Sequence, residues 1–392
     1  MRKRRNLLIL CICLVSILSG CWSSTELNEM AIATAIGIDR SKEGYLLSVQ
    51  VINPAEIAGK TVTNRTEVVT FKATGTTVFE ALRKITTKAP RKVYIAHLRE
   101  IVFGEKFAKE KGIRKALDFF SRDHNTRTDF FIVVAKNTTA YNVLKVQTQL
   151  EKIPGNKLFN SLEASENSWA STKAVKLDEL ISSLVSEGKQ PVLTGVRVEG
   201  DSESGGRKWN VESTTPKTTL VLDNIGVFKD DKLIGWLSLN ESKGFNYITD
   251  NVENTIATIP CEKQRLSIET IKSKTDIKGI VENGKPKILL DVSMEGNIND
   301  TECKIDLLKQ KNIKKLEKKY ANNIKEKIEA TIRKTQEDFQ SDIFGFGEAI
   351  QRADYDAWQD LKGNWDESFV NLEITVKVDG KIHNLGTVTD SF

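Results

Sequence analysis

Apolar positions alternate or cluster over residues 31–39 and 45–52, and the polar stretch 40–44 between them ends in Gly44, which predicts a hairpin. Asn53-Pro54 closes the second run, and residues 66–74 alternate as a third strand. Over 77–88 the apolar residues Val78, Ala81, Leu82 and Ile85 recur at helical spacing, and Pro90 stops the helix they predict. The runs 98–103 and 130–135 read as buried strands, with helices over 107–121 and 140–146. Residues 151–171 are polar and broken by Pro154-Gly155. A helix follows over 176–186 through Leu177, Leu180, Ile181 and Leu184, and 188–191 reads as a domain boundary.

Beyond that boundary a strand is predicted over 191–198 and a loop over 201–206. The runs 218–228 and 233–239 form a hairpin across Lys229-Asp230-Asp231-Lys232, and 241–247 is a short helix. From about residue 256 the pattern changes. Three β runs, 266–272, 277–282 and 288–294, precede a long helical stretch from 303 to about 338. Ile305, Leu308, Ile313, Leu316, Tyr320, Ile324, Ile328 and Ile332 mark one stripe of it, with charges elsewhere. An aromatic loop at 342–347, a short helix ending near Arg352 and a strand over 369–378, with Gly380 as a turn, complete the chain. The pattern predicts an α+β protein of three mixed α/β domains in series, residues 21–189, 190–255 and 256–392. The last has an antiparallel-type sheet and one long helix.

Residues 1–20 stand apart. Arg2-Lys3-Arg4-Arg5 precedes the apolar run 7–18, and Leu18-Ser19-Gly20-Cys21 follows, which is the order of an export signal. The run is shorter than the ~20 residues that span a bilayer. Small residues directly before a cysteine form a bacterial lipobox. Cleavage between Gly20 and Cys21 is expected, with an S-diacylglyceryl group on Cys21, so that acyl chains hold the body on a membrane. Losing residues 1–20 also lowers the formal net charge from +5 to +1, which gives no general affinity for nucleic acid.

Candidate chemistry is sparse. His97, His124 and His383 are not spaced for a metal, and Cys-x-x-Cys, Gly-x-Ser-x-Gly and phosphate-loop motifs are missing from the sequence. Gly345-Phe346-Gly347 lacks the third glycine of a dinucleotide fingerprint. No catalytic residue and no cofactor are expected. Of five cysteines, Cys11 and Cys13 leave with the signal and Cys21 is lipidated. Cys261 and Cys303 either pair outside the cell or stay as separate buried thiols. Residues 304–334 carry eleven basic residues against four acidic, which reads as a solvated helix face, with anionic headgroups as the other reading. Phe344 and Phe346 either close the core beneath the long helix or meet a partner. Trp236, Trp358 and Trp365 read as packing residues instead of a ligand cage.

Several segments together resemble the Ger(x)C lipoproteins, the C subunits of spore germinant receptors. Gly20-Cys21-Trp22, then Glu26-Leu27 and Ile36-Gly37-Ile38-Asp39, are similar to the family's mature start. His97-Leu98-Arg99-Glu100-Ile101-Val102-Phe103-Gly104-Glu105 with Arg122-Asp123, and Gly226-Val227-Phe228 through Gly235-Trp236-Leu237-Ser238 with Glu241-Ser242-Lys243-Gly244, agree in order. So does Ser341-Asp342-Ile343-Phe344-Gly345-Phe346-Gly347, with Trp358, Trp365 and Phe369 downstream. The loop 201–210 and the pair Cys261 and Cys303 have no counterpart in this resemblance. The resemblance implies three α+β domains and a non-enzymatic subunit. Through lipid at Cys21 it would sit on the outer face of the spore inner membrane. Its partners would be two integral membrane subunits, of A and B type, and the receptor would respond to a small nutrient. A solute-binding lipoprotein of a transporter is the competing class. Its two α/β lobes fit poorly with strands followed by one long helix.

Overall fold

The computed structural model describes residues 30–58, 65–123, 126–261 and 263–384, together with Arg4 and Asn6. Two sheets organise them. In the first, β1 (Met30–Ser41), β2 (Gly44–Ile52) and β3 (Val68–Gly75) are antiparallel neighbours. β4 (Lys92–Tyr94) and β5 (Glu100–Gly104) each run parallel to β1, and β6 (Phe131–Ala135) and β7 (Val192–Glu199) continue that direction. The hairpin β8 (Thr219–Lys229) and β9 (Lys232–Trp236) completes the order β3-β2-β1-β5-β6-β7-β8-β9. Strands β5 and β6 are buried along their whole length without alternation because both faces are covered, as a parallel sheet requires.

The covering helices are α1 (Val78–Ile85), α2 (Glu105–Glu110), α3 (Arg114–Arg122), α4 (Ala140–Lys145), α5 (Pro154–Trp169) and α6 (Leu177–Val185). Val78, Ile85, Phe107, Leu117 and Leu180 place α1, α2, α3 and α6 against one face. Val143, Leu158 and Leu162 place α4 and α5 against the other. The helix expected over 107–121 is divided at Gly112, whose φ of +78° turns the chain. There Asp231 accepts from the Arg114 amide at 3.2 Å. The polar stretch 151–171 is helical after all. Pro154 begins α5 at a position where a missing N–H costs nothing.

The boundary expected at 189/190 is crossed by the first sheet. β7 pairs with both β6 and β8, so 190–255 does not stand as a unit of its own in the strand pairing. Its strands finish the first sheet, and its helix α7 (Leu239–Ile248) buries Phe245, Tyr247 and Ile248 in the core of the second. The physical reason is visible in Val192 and Leu193, both buried, which only neighbouring strands and covering helices on two sides can shield.

The second sheet is β10 (Thr255–Cys261), β11 (Gln264–Glu282), β12 (Lys285–Thr301) and β13 (Glu373–Asn384), in that order. β10 alternates strictly between buried and exposed residues, so one face is core and one is solvent. The antiparallel-type sheet holds for β10 to β12, but β13 is parallel to β12. A parallel return needs a long crossover. It is made by α8 (Gln310–Lys334), α9 (Phe346–Ala353), α10 (Tyr355–Leu361) and α11 (Trp365–Val370). The runs 266–272 and 277–282 are one strand of 19 residues. The helix begins at Gln310 instead of 303, and Phe369 belongs to α11. Gly380 lies inside β13 instead of at a turn, where a Cβ would stand 2.8 Å from the Tyr320 ring.

Glu100 is buried in β5, and neither carboxyl oxygen has a hydrogen-bond partner. Burial therefore pushes its pKa well above the ordinary 4.5. The folded protein keeps this proton after the unfolded chain has lost it, so stability falls as pH rises from about 4.5. Glu100→Gln should flatten that slope and raise stability at pH 7. Urea titrations at several pH values measure it. A variant with the wild-type slope would contradict the assignment.

Candidate functional site

Gly20 and Cys21 lie outside the described residues, as do Cys11, Cys13, Trp22, Glu26, Leu27 and His124. Among the described residues, no group of three His, Cys, Asp or Glu side chains could hold a metal, and no helix is long and apolar enough to cross a membrane. His97 is exposed, and His383 stands 3.3 Å from Glu295. The Cα atoms of Cys261 and Cys303 are 6.2 Å apart, within the span of a disulfide. Trp358 and Trp365 are buried edge to face, with ring centres 5.3 Å apart, and Trp236 donates to Glu105 at 3.0 Å. On α8, Leu316, Tyr320, Ile324 and Ile328 are buried, whereas Lys311, Lys314, Lys315 and Lys318 face solvent.

The late aromatic motif is built around a carboxylate. The chain leaves α8 through a π turn (Thr335–Phe339), and Gln340 adopts a φ of +47°. Asp342 then turns inward, almost fully buried. Its Oδ1 accepts from the amides of Phe344, Gly345 and Phe346 at 3.0, 3.0 and 3.2 Å. Its Oδ2 accepts from the Gly347 amide at 2.9 Å and from Trp365 Nε1 at 3.0 Å. The amides belong to the first turn of α9 and the loop before it, where a helix leaves its donors unpaired. Gly345, with φ +81°, lets three consecutive amides converge on one oxygen. Burial pushes the Asp342 pKa up to about 6, while the amides and Trp365 that donate to it pull the other way. Phe344 and Phe346 are buried with ring centres 4.9 Å apart, which places both in the core.

The same loop joins the two sheets. Gln190 N donates to Asp342 O at 2.7 Å, and Ser341 Oγ to Phe228 O at 2.9 Å. Ser186 Oγ donates to Glu348 at 2.9 Å, and Lys229 pairs with Asp366 at 2.9 Å. Gly347 and Gly188 touch backbone to backbone, since a Cβ on Gly347 would lie 2.6 Å from the Gly188 Cα.

A second joint uses the motif 241–244. Lys243, almost fully buried, donates to Thr255 Oγ1 at 2.9 Å, and its ammonium lies 3.6 Å from the centre of the Trp169 ring. Burial, and secondarily the charge of Lys327, lower its pKa to about 8. Asn246 donates to Ala170 O at 2.8 Å and to Thr172 O at 3.0 Å. Thus α7 is tied to the end of α5. Both motifs are mechanical: they spend their polar groups on holding one body to the other. Sequence reasoning noticed the glycines and rings of 341–347 but missed Asp342 as their organiser. The available signal was an aspartate placed before the donors of a helix start.

The comparisons agree with this architecture. Residues 23–198 match the family described as the spore germination protein N-terminal domain, and residues 223–386 match that described as spore germination B3/GerAC like, C-terminal. The chain therefore belongs to the Ger(x)C family of spore germination proteins. It is 32% identical over 395 aligned residues to spore germination protein KC of Bacillus subtilis (strain 168), which covers 98% of this chain and 97% of that one. Spore germination protein B3 of the same organism is 24% identical over 95% of each chain. The crystal structure of the GerBC protein shares the fold, with a TM-score of 0.58 over 89% of this chain and 97% of that one at 21% identity.

Proposed function

We propose that this protein is the lipid-anchored, non-enzymatic subunit of a nutrient germinant receptor. It sits on the outer face of the spore inner membrane and assembles with two integral membrane subunits of A and B type. The observation that carries the reading is the end-to-end match to proteins named for spore germination. The lipobox ending at Gly20-Cys21 adds the anchor. The buried polar joints support a role in assembly over turnover, because their carboxylate and ammonium groups are enclosed and committed. Cys261 and Cys303 form a disulfide in this reading.

Deleting the gene in a spore-former should leave sporulation normal and abolish or strongly reduce germination with one nutrient set. Germination that bypasses nutrient receptors should persist. Cys21→Ala should reproduce the defect incompletely, since free diffusion replaces a membrane-held local concentration. Mass spectrometry of the native protein should find lipid on Cys21 and a linked Cys261–Cys303 peptide. A deletion strain with normal responses to every nutrient and loss of solute uptake instead would favour a transporter-linked lipoprotein.

A further inference from the structure

We propose that the end of the first sheet where β1 begins lies against the bilayer. There Arg91, Lys92 and Arg99 would take anionic phospholipid headgroups. This rests on the reading of Cys21 as the lipid anchor.

The chain itself sets the geometry. Met30 opens β1, nine residues after Cys21. Nine extended residues reach at most about 30 Å, so a lipid on Cys21 keeps Met30 within that distance of the membrane. At a rise of ~3.3 Å per residue, β1 carries its other end, the turn into β2, about 40 Å away.

The surface beside Met30 is basic. Met30 pairs with Lys92 in β4, and Arg91 and Lys92 are exposed. Arg99 is exposed nearby. Its amide donates to Thr34 O at 2.8 Å, and its guanidinium lies 5.0 Å from the centre of the Phe159 ring, which leaves its charge unneutralised. Arg91, Lys92 and Arg99 make no ion pair among the described residues. Asp129, on the wall of the same region, is engaged with Arg127 at 2.8 Å.

A cleft of about 330 Å³ opens at the same place. Ile32, Ile52 and Ile153 give it an apolar wall, and His97, Arg99, Arg127 and Asp129 line its polar side. With Arg127 neutralised by Asp129, the apolar wall beneath the Arg99 guanidinium fits a phosphate group with glycerol carbons behind it. Tyr94, 5.8 Å from His97 between ring centres, is the residue type that settles at a membrane interface. The opposite end differs: Arg40 is paired there with Glu110, and Lys42 stands beside Glu43. The lysines of α8 are more numerous, but no tether fixes their distance from the lipid.

Each unneutralised Lys or Arg close to an anionic bilayer adds roughly fivefold to partitioning, within a Debye length of ~8–10 Å. The anchor makes that contact intramolecular. Backbone hydrogen exchange of the lipidated full chain tests the proposal, on phosphatidylglycerol–phosphatidylcholine vesicles and on phosphatidylcholine alone. Amides of 86–99 should be protected on the anionic vesicles only, and those of 41–44 on neither. The variant Arg91→Glu, Lys92→Glu, Arg99→Glu should stay anchored, with an unchanged circular dichroism spectrum, and lose the protection. Equal protection on both vesicle types, protection only at 41–44, or the same protection from soluble glycerol phosphate would overturn it. The anchor is read separately. If mass spectrometry shows Cys21 bare, that reading fails alone. The unlipidated chain should still sediment with anionic vesicles, at least about tenfold more than the variant does at low salt. Equal sedimentation of the two would overturn the patch.

Discussion

Replacing Asp342 by alanine should cost about 3–5 kcal/mol, the scale seen when one partner of a buried charged network is removed. Five donors lose their acceptor at once, four of them backbone amides that cannot turn away. No water route replaces the carboxylate cheaply, because the group and the loop around it are enclosed. Asparagine should not rescue the loss. Its amide nitrogen would have to occupy one oxygen position, and both positions face donors. Chemical denaturation measures the effect, and its shape is informative. If the loop joins the two bodies as described, the variant should unfold with a broadened or two-step transition, since the seam weakens before either sheet. A variant within about 1 kcal/mol of wild type would show that the donors find other partners.

Phe346→Ala should cost a similar ~3–5 kcal/mol, the range for a large aromatic removed from a core. The ring is fully buried, 4.9 Å from Phe344 and 6.4 Å from Phe369 between centres. Phe346→Leu keeps most of the volume and should cost less than about 1.5 kcal/mol. If the protein assembles with membrane subunits as proposed, its recovery with them should follow the folded fraction in both variants. A stable Phe346→Ala protein that fails to assemble would mean that the ring is uncovered for a partner.

The pattern of apolar residues revealed strands and helices well where one element had one face. Alternation marked β3, helical spacing marked the stripe of α8, and the doubly covered strands β5 and β6 read as buried strands, whereas the strictly alternating β10 was passed over. It failed where tertiary partners decide. Gly112 breaks one predicted helix because the chain must reach Asp231, and Pro154 starts a helix in a stretch whose composition is polar. The expected boundary at 189/190 rested on Gly188 and Pro191. Gly188 is there because the backbone of Gly347, far along the chain, packs on it. A small residue at a tight joint and a small residue in a linker look alike in one dimension. Asp342 and Lys243 were hidden for a related reason: a charged residue reads as surface until its donors or its aromatic ring are seen.

The strand seam between β7 and β8 bears on how such proteins can be cut and exchanged. The first family region ends at residue 198, inside β7, and the second begins at 223, inside β8. A chain divided between them would separate strands that pair from Val192 to Glu199, leaving each half with a bare sheet edge. Bare edges invite pairing with other chains, so isolated halves should aggregate instead of folding as modules. A chimaera of two relatives joined there would have to match registers across the seam, including the irregularity between Thr194 and Val196. The two regions are thereby bound to vary together at this seam, and a change in one strand carries a constraint on the other.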